Sequence, residues 1–251
     1  LNRECSLVKE MRVIEGSYQD WKTLAGFHYR SHRIAAPRKI FCLKRGDELC
    51  GVIVYCYPPI ACFGRRQVLP KMSIKELNEK LCIISRVVVH PKYRTVGLGS
   101  KLVRETLSLA GTPYVEMVAV MAKYNPFAEK AGMRKIAEQP PSKKALAIAQ
   151  VLSELGFNIQ LLGSEKYVLN KLQPLKAEDI TRIKDAFIRN KAPRFMKYFF
   201  PHQPYGRQKQ YVKKLREASL ERLAHLIKVC GLLLQTKVYL FWKKLRAPPR
   251  I

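Results

Sequence analysis

Residues 90–102 read HPKYRTVGLGSKL. Two glycines, Gly97 and Gly99, lie one residue apart behind Arg94, and the apolar run LCIISRVVV (81–89) comes just before. The segment is either a loop that cradles a phosphate or a surface turn between a strand and a helix. The run ahead of it is apolar nearly throughout, as a centrally buried strand is, and helix-compatible sequence follows from about Ser100 to Leu109. A glycine loop between a buried strand and a helix turns backbone N–H groups outward. There the helix dipole favours anions, and the missing side chains let a pyrophosphate come close. The spacing Arg94-x-x-Gly97-x-Gly99 is not GxxxxGK[ST], so Lys101 is no Walker lysine. Nor is it GxGxxG with a distant ribose-binding acid, which disfavours a dinucleotide fold.

Working outward, YQDWKTLAGFHYR (18–30) has helical apolar spacing, and KIFCLKRGDELCGVIVYCY (39–57) is a β-hairpin around RGDE. Pro58 and Pro59 stop its second strand, and a long basic loop or short helix runs to Lys80. After the glycine loop and its helix, Gly111 and Pro113 precede a strand, YVEMVAVMA (114–122). NPFAEKAGM (125–133) is a short helix closed by Gly132, and RKIAE (134–138) is a further strand. This order predicts an α/β fold with a mixed, twisted sheet and flanking helices. From about Ser142 the character changes: KKALAIAQVLSELGF (143–157) is amphipathic, and the rest reads as helical. The expected organisation is an α/β domain over 1–140 and a basic, mostly helical C-terminal extension over 141–251.

The 251 residues are 47% apolar, enough for a real core, yet 47 Lys and Arg against 19 Asp and Glu leave a net charge of +28. Residues 171–251 alone hold 20 basic and 5 acidic side chains, a net +15. Such a surplus favours a polyanionic partner, nucleic acid before anionic membrane. A basic cellular environment is the plainer explanation. Seven scattered cysteines without a CxxC read as reduced thiols of a cytoplasmic protein, and disfavour a disulfide framework or a zinc ribbon. No stretch reads as a signal peptide or a membrane span. His28 and His32 stand at i, i+4, a metal-compatible spacing, but no third ligand is evident and no metal is expected.

Taken together, these segments resemble the GNAT acetyltransferase superfamily, whose acyl-CoA loop reads [RQ]xxGx[GA] after a central strand. SRVVVHPKYR (85–94) is similar to that family's fourth strand, YVEMVAVMA to its fifth, and NPFAEKAGM to the segment that closes the cofactor site. The resemblance covers roughly residues 10–140 and makes the 1–140 domain transferase-like. It implies acetyl-CoA or another acyl-CoA as donor. Val87 and Val89 would offer backbone to the pantetheine, while Arg94, Val96, Gly97, Gly99 and Ser100 would surround the pyrophosphate and Asn125 would hold the pantetheine arm. The chain departs from the family at Ala128, where many members carry the tyrosine that protonates the departing thiolate. Tyr124, one helical turn earlier, is the alternative acid or a core aromatic. Glu116 is a candidate base or a salt-bridged structural carboxylate, and Ser85 with Arg86 are further candidates.

On the acceptor side, the resemblance places His28, Tyr29 and Arg30 near substrate, and CFGRRQVLPK (62–71) over the cleft with Arg65, Arg66 and Lys71 toward a phosphate backbone. Tyr29, Tyr57 or Phe63 could stack on a displaced base. In APRFMKYFFPHQPYGRQKQY (192–211) aromatics interleave with cations, as on surfaces that stack bases, or else as a helix end packed into a core. Lys213 and Lys214 extend that basic stretch. The wording FHYRSH, GVIVYCYPP and VMAKYNPFAEKAGM is also similar to acetyltransferase-like domains fused to ABC-type ATPases, and more loosely to phage Mom DNA-modification proteins. That implies transfer to an exocyclic amine of a base, in DNA before RNA, with an ABC-type ATPase as a possible partner. The alternatives are a protein or small-molecule N-acetyltransferase, and a non-catalytic nucleic-acid-binding scaffold, which Ala128 makes conceivable.

Overall fold

The structure, a computed structural model, describes residues 6–28, 33–200 and 208–244. The chain divides into two compact units: 1–139 together with 237–251, and 140–236. The first unit runs α1 (Ser6–Lys9), β1 (Arg12–Glu15), α2 (Tyr18–Ala25), β2 (Pro37–Arg45), β3 (Glu48–Cys56), α3 (Ile74–Lys80), β4 (Leu81–Val89), α4 (Leu98–Thr106), β5 (Tyr114–Ala119), α5 (Phe127–Lys130), β6 (Arg134–Gln139) and β7 (Lys237–Lys243). These strands form a seven-stranded sheet in the order β1-β2-β3-β4-β5-β7-β6. It is a mixed sheet: β4 and β5 are parallel, and the other neighbours are antiparallel.

Side chains alternate between the two faces, as the period of a strand requires. Phe41, Leu43, Ile53, Tyr55, Val115 and Met117 pack with Leu98, Leu102 and Val103 of α4. On the opposite face Trp21 and Leu24 of α2 cover Ile40, Cys42, Val52, Val54 and Val88. Further along that face Leu69 and Leu77 cover Leu81, Tyr239 and Phe241. Helices α2 and α3 start at capping boxes, Ser17 with Asp20 and Ser73 with Glu76, in which each serine side chain accepts from the backbone N–H three residues on.

The structure corrects the expected organisation at the C-terminus. KVYLFWK (237–243) is a strand, and it inserts between β5 and β6. Gln139 of β6 pairs with Lys237 of β7, so residues 140–236 stand where a hairpin turn would otherwise join two antiparallel neighbours. They are an insertion into the sheet domain, and the last strand belongs to the first unit.

The second unit consists of α6 (Lys143–Glu154), α7 (Glu165–Leu172), α8 (Ala177–Arg189), α9 (Pro193–Phe199), α10 (Gln208–Arg216) and α11 (Leu220–Leu233). Its core gathers Ile148, Leu152, Phe187, Phe195, Tyr211, Leu223 and Ile227. The amide of Ser142 donates to the Leu233 carbonyl at 3.0 Å, which brings the two ends of the insertion together. With the boundary so drawn, the first unit carries 29 Lys/Arg and 12 Asp/Glu (net +17), the second 18 and 7 (net +11). The surplus is therefore shared in proportion to length rather than concentrated in the insertion. Among the described residues no helix is long and apolar enough to cross a membrane.

Candidate functional site

The parallel pairing of β4 with β5 stops at Ile84–Met117, although β4 continues to Val89 and β5 to Ala119. Beyond that rung the two strands separate, and the edge of β4 facing β5 is left without a ladder. A β-bulge marks the same point: Tyr55 opposes Ile84 and Val54 opposes Arg86, so Ser85 is the extra residue. Past the bulge the phase of the β3–β4 ladder is set by His90, whose amide donates to the Cys50 carbonyl at 2.9 Å. Val88 and Arg86 share that phase and turn their backbone groups to β3. Val87 and Val89 have the opposite phase, so their N–H and C=O groups face the opening. The Val89 carbonyl accepts from Arg94 Nε at 3.2 Å.

The glycine loop lies directly beyond β4. Thr95 has φ of +75°, an uncommon conformation for a side chain with a branched Cβ, and Gly97 follows at +87°. Gly97 is the N-cap of α4 and provides no side-chain cap, in contrast to the capping boxes of α2 and α3. Lys101 N–H donates to the Gly97 carbonyl at 3.1 Å, which leaves the N–H groups of Leu98, Gly99 and Ser100 as the unpaired first turn of the helix. Val96 is exposed in the loop, and Ser100 is buried in the first turn of α4. Arg94 is exposed and reaches back to the Phe27 carbonyl at 3.5 Å, tying the end of α2 to the loop. These residues fit a pyrophosphate-bearing acyl-CoA: an uncapped, glycine-led helix N-terminus for the phosphates, next to an open strand edge that pairs with amide groups.

The candidate catalytic residues fare differently. Glu116 is fully buried on β5, one rung before the opening. Its Oε1 accepts from Arg65 Nη2 at 2.6 Å; its Oε2 accepts from Arg65 Nε at 2.9 Å and from the Tyr239 hydroxyl at 2.9 Å. Both oxygens are occupied, which gives Glu116 the structural role rather than that of a free base. The same geometry corrects Arg65. It is 5% exposed and directs its third donor, Nη1, to the Ile60 carbonyl at 3.0 Å, so it is not a surface contact for phosphate. Burial, then the Glu116 carboxylate, pushes the Cys62 thiol up to about 12 and also raises Tyr239. Arg66 and Lys71 of the same loop are exposed.

Tyr124 is 74% exposed on a turn, and Asn125 beside it is exposed too. Pro126 separates Tyr124 from α5, so Tyr124 and Ala128 do not share a helix, and the one-turn relation expected between them is absent. Ala128 is fully buried in the core. Ser85 Oγ and its carbonyl both accept from Arg86 Nη1, at 3.1 and 2.8 Å, and Arg86 lies 6.0 Å from the Trp21 ring. His28 is half-buried, with its ring edge on Trp21 at 6.1 Å. Tyr29, Arg30 and His32 lie outside the described residues. Among the described residues no group of three His, Cys, Asp or Glu could hold a metal ion.

In the second unit residues 201–207 of the interleaved stretch lie outside the described residues, and the described aromatics of that stretch are chiefly core. Phe195, Phe199, Phe200 and Tyr211 are buried, and Tyr198 stacks on His225 at 4.6 Å, so these rings are not a base-stacking surface. Lys213 and Lys214 are exposed on α10. Lys213 is 4.0 Å from Glu217, and Lys214 lies over the Phe200 ring. Three features of the first unit go beyond the sequence reading: Thr95 in the loop, Tyr239 on the last strand, and Ile60 held by Arg65. The first two have no motif to announce them, but PPI after a strand is a visible sign of a constrained loop.

No curated protein matches the chain. Among solved structures it is similar to a Bacillus subtilis acetyltransferase in complex with CoA, at 17% identity over 52% of this chain and 81% of that one, TM-score 0.38. It is also similar to Ard1 from Thermoplasma volcanium (15% identity, 52% and 87% covered, TM-score 0.36). A third is the ribosomal-protein-S18-alanine N-acetyltransferase from Escherichia coli (12% identity, 53% and 85% covered, TM-score 0.35). The profile of the acetyltransferase (GNAT) family matches residues 7–132, half of the chain and all of the splayed strands and glycine loop just described. The chain belongs to the GNAT family of acyltransferases.

Proposed function

We propose that this GNAT transferase takes its acyl group from acyl-CoA and delivers it to an exocyclic amine of a base in nucleic acid, with DNA as the favoured polymer. The observation that carries the acceptor assignment is the charge. Both units are strongly basic, +17 and +11, and the cations of the first unit include exposed Arg66 and Lys71 on the loop next to the opening. A basic protein tail would be repelled by such a surface, whereas a phosphate backbone is drawn to it.

Bound acyl-CoA supplies the activated acyl group. The chain's own residues would orient it: the first turn of α4 and Arg94 would hold its phosphates, and the backbone of Val87 and Val89 would pair with its amide groups. An exocyclic base amine is neutral at physiological pH, so the site does not have to strip a proton from an ammonium group before attack. This suits a centre whose one strand carboxylate, Glu116, is already engaged by Arg65 and Tyr239. Tyr124, exposed on the turn that follows β5, is the hydroxyl we assign to protonate the thiolate as the C–S bond breaks; its phenolate would then take up the proton that the amine gives up on forming the N–acyl bond.

The test is mass spectrometry of nucleosides from cells with and without the protein. An acylated base present only with the chain, and lost with Gly97→Asp, supports the assignment. Unmodified nucleosides together with acylated protein would overturn it.

A further inference from the structure

Ile60 has the most exposed large apolar side chain among the described residues, at 75%. Its backbone is nevertheless held from both sides. Pro58 and Pro59 precede it and restrict the chain. The Tyr57 amide donates to the Ala36 carbonyl at 3.1 Å, and the Tyr57 ring lies under the Arg38 guanidinium at 5.2 Å. On the other side, Arg65 Nη1 donates to the Ile60 carbonyl itself while the rest of the guanidinium grips Glu116. Gly64, at φ +79°, packs so closely on the Tyr239 ring that a Cβ there would lie 2.8 Å from it.

A single exposed isoleucine ordinarily needs no explanation. One held out from the surface by a buried bidentate ion pair is a rigid apolar projection, and its place is defined. Glu116 pairs with Ile83, one rung before β4 and β5 part, so the Ile60–Arg65–Glu116 chain ends beside the opening. It does so on the face opposite α4, because Tyr239 and Phe241 pack there with Leu69 and Leu77. Arg66, next to Arg65 in the chain, and Lys71 are exposed on the same loop and give it positive charge.

We propose that Ile60 is a wedge, which enters the base stack of a duplex and fills the gap left when the acceptor base turns out toward the opening between β4 and β5. This rests on the nucleic-acid reading above. Turning a base out of a duplex forfeits its stacking and pairing, and apolar side chains inserted at the vacated step offset part of that cost. The side chain has to be presented by backbone that is already ordered, since ordering a loose loop on binding would work against insertion. The Arg65–Glu116 brace meets that need, and the neighbouring cations meet the phosphates on either side of the step.

The experiment uses the full chain, its Ile60→Ala and Ile60→Leu variants, and a panel of DNA duplexes that each carry one 2-aminopurine in place of adenine. The same strands are also tested unpaired. Saturating wild-type protein is expected to raise 2-aminopurine fluorescence at one or more duplex positions. Ile60→Ala should bind single strands as the wild type does, bind the paired duplex about tenfold more weakly, and fail to raise the fluorescence; Ile60→Leu should restore both. An unchanged thermal midpoint for Ile60→Ala is expected from the exposure of the side chain. Duplex opening by Ile60→Ala equal to that of the wild type, no opening by the wild type, or equal losses on single and double strands would each overturn the wedge while leaving the nucleic-acid reading in place. A wild-type chain that binds neither form of DNA, nor the corresponding RNA, would overturn both.

Discussion

Arg65 and Glu116 form a bidentate ion pair inside the first unit, Nη2 to Oε1 at 2.6 Å and Nε to Oε2 at 2.9 Å, with side chains 6% and 0% exposed. The pair joins a surface loop to the central sheet, and the Tyr239 hydroxyl completes it from the last strand. Removing one partner strands the other charge in the interior. Glu116→Ala is therefore expected to cost about 3–5 kcal/mol in chemical denaturation. Arg65→Met with Glu116→Met should cost much less than the sum of the single changes. For Glu116→Gln, turnover should fall only as far as the folded fraction falls. A stable Glu116→Gln variant with abolished turnover would return Glu116 to the role of base.

Gly97 tests the donor site. Its φ of +87° strains any other residue, although a Cβ there would meet open space. Gly97→Asp also places a carboxylate in front of the N–H groups of Leu98, Gly99 and Ser100. Coenzyme A binding in calorimetry should disappear, with the far-ultraviolet circular dichroism unchanged. At Gly99 a Cβ would sit 3.6 Å from the Phe127 ring, an ordinary contact, so Gly99→Asp should act through charge alone. Native affinity in both variants would remove the anion site from this loop.

The fold is readable where local pattern and tertiary role agree. LCIISRVVV announces a central strand by composition, although Ile83, Ser85, Arg86, Val87 and Val89 are only half-buried, and the glycine loop is bounded by it on one side and a helix on the other. The last strand is hidden because KVYLFWK follows a long helical stretch, and its partners, β5 and β6, lie far back in the chain. The charge of Arg65 is visible but its burial is not: a basic loop looks solvated until its acidic partner, Glu116, is known to lie beneath it. Tyr124 misleads through continuity, since Pro126 breaks the helix that would have aligned it with Ala128. The aromatics of 192–211 alternate with cations in either role, and tertiary contacts decide that Phe195, Phe199 and Tyr211 face inward.

For Tyr124 the expected result is a fall in kcat of about 10²-fold or more in Tyr124→Phe, the range of a general acid. KM for the donor should stay within error, because the phenol is exposed and carries no part of the packing. The site's other hydroxyl candidate, Ser85, is held by Arg86, and Ala128 has none to offer. A near-native rate would exclude Tyr124 as the acid, and Ser85→Ala would be the next variant to assay.

Buried thiols give a pH dependence with a definite sign. Burial pushes Cys42 and Cys230 up to about 12 and Cys82 to about 11, from an ordinary value of 9.0. Their folded pKa values lie above the unfolded ones, so their contribution is complete below pH 9 and declines as pH rises from there toward 12. Stability at pH 10 should therefore lie below that at pH 8, by on the order of a kcal/mol for each such thiol. Urea midpoints measured at both values should fall accordingly. Equal midpoints would mean that these thiols are accessible to water.

The last test separates the two basic units. Lys213 has 77% of its side chain exposed, and Glu217 is 4.0 Å away at the limit of an ion pair, so replacing it has little effect on stability. Lys214 lies over the Phe200 ring, and its charge is exposed as well. If the second unit holds duplex DNA through phosphates, Lys213→Glu with Lys214→Glu should flatten the log–log salt dependence of binding by about 0.9 for each phosphate no longer neutralised. Arg66→Glu with Lys71→Glu is the matching reversal on the loop of the first unit, where both side chains are exposed. Because the positive surplus is shared in proportion to length, we expect both pairs to lower the slope, with neither abolishing binding. A slope that responds to Arg66 and Lys71 alone would make the insertion a structural element and confine DNA binding to the sheet domain. A slope that responds to neither pair would remove phosphate binding from both surfaces, and the charge would then have another purpose.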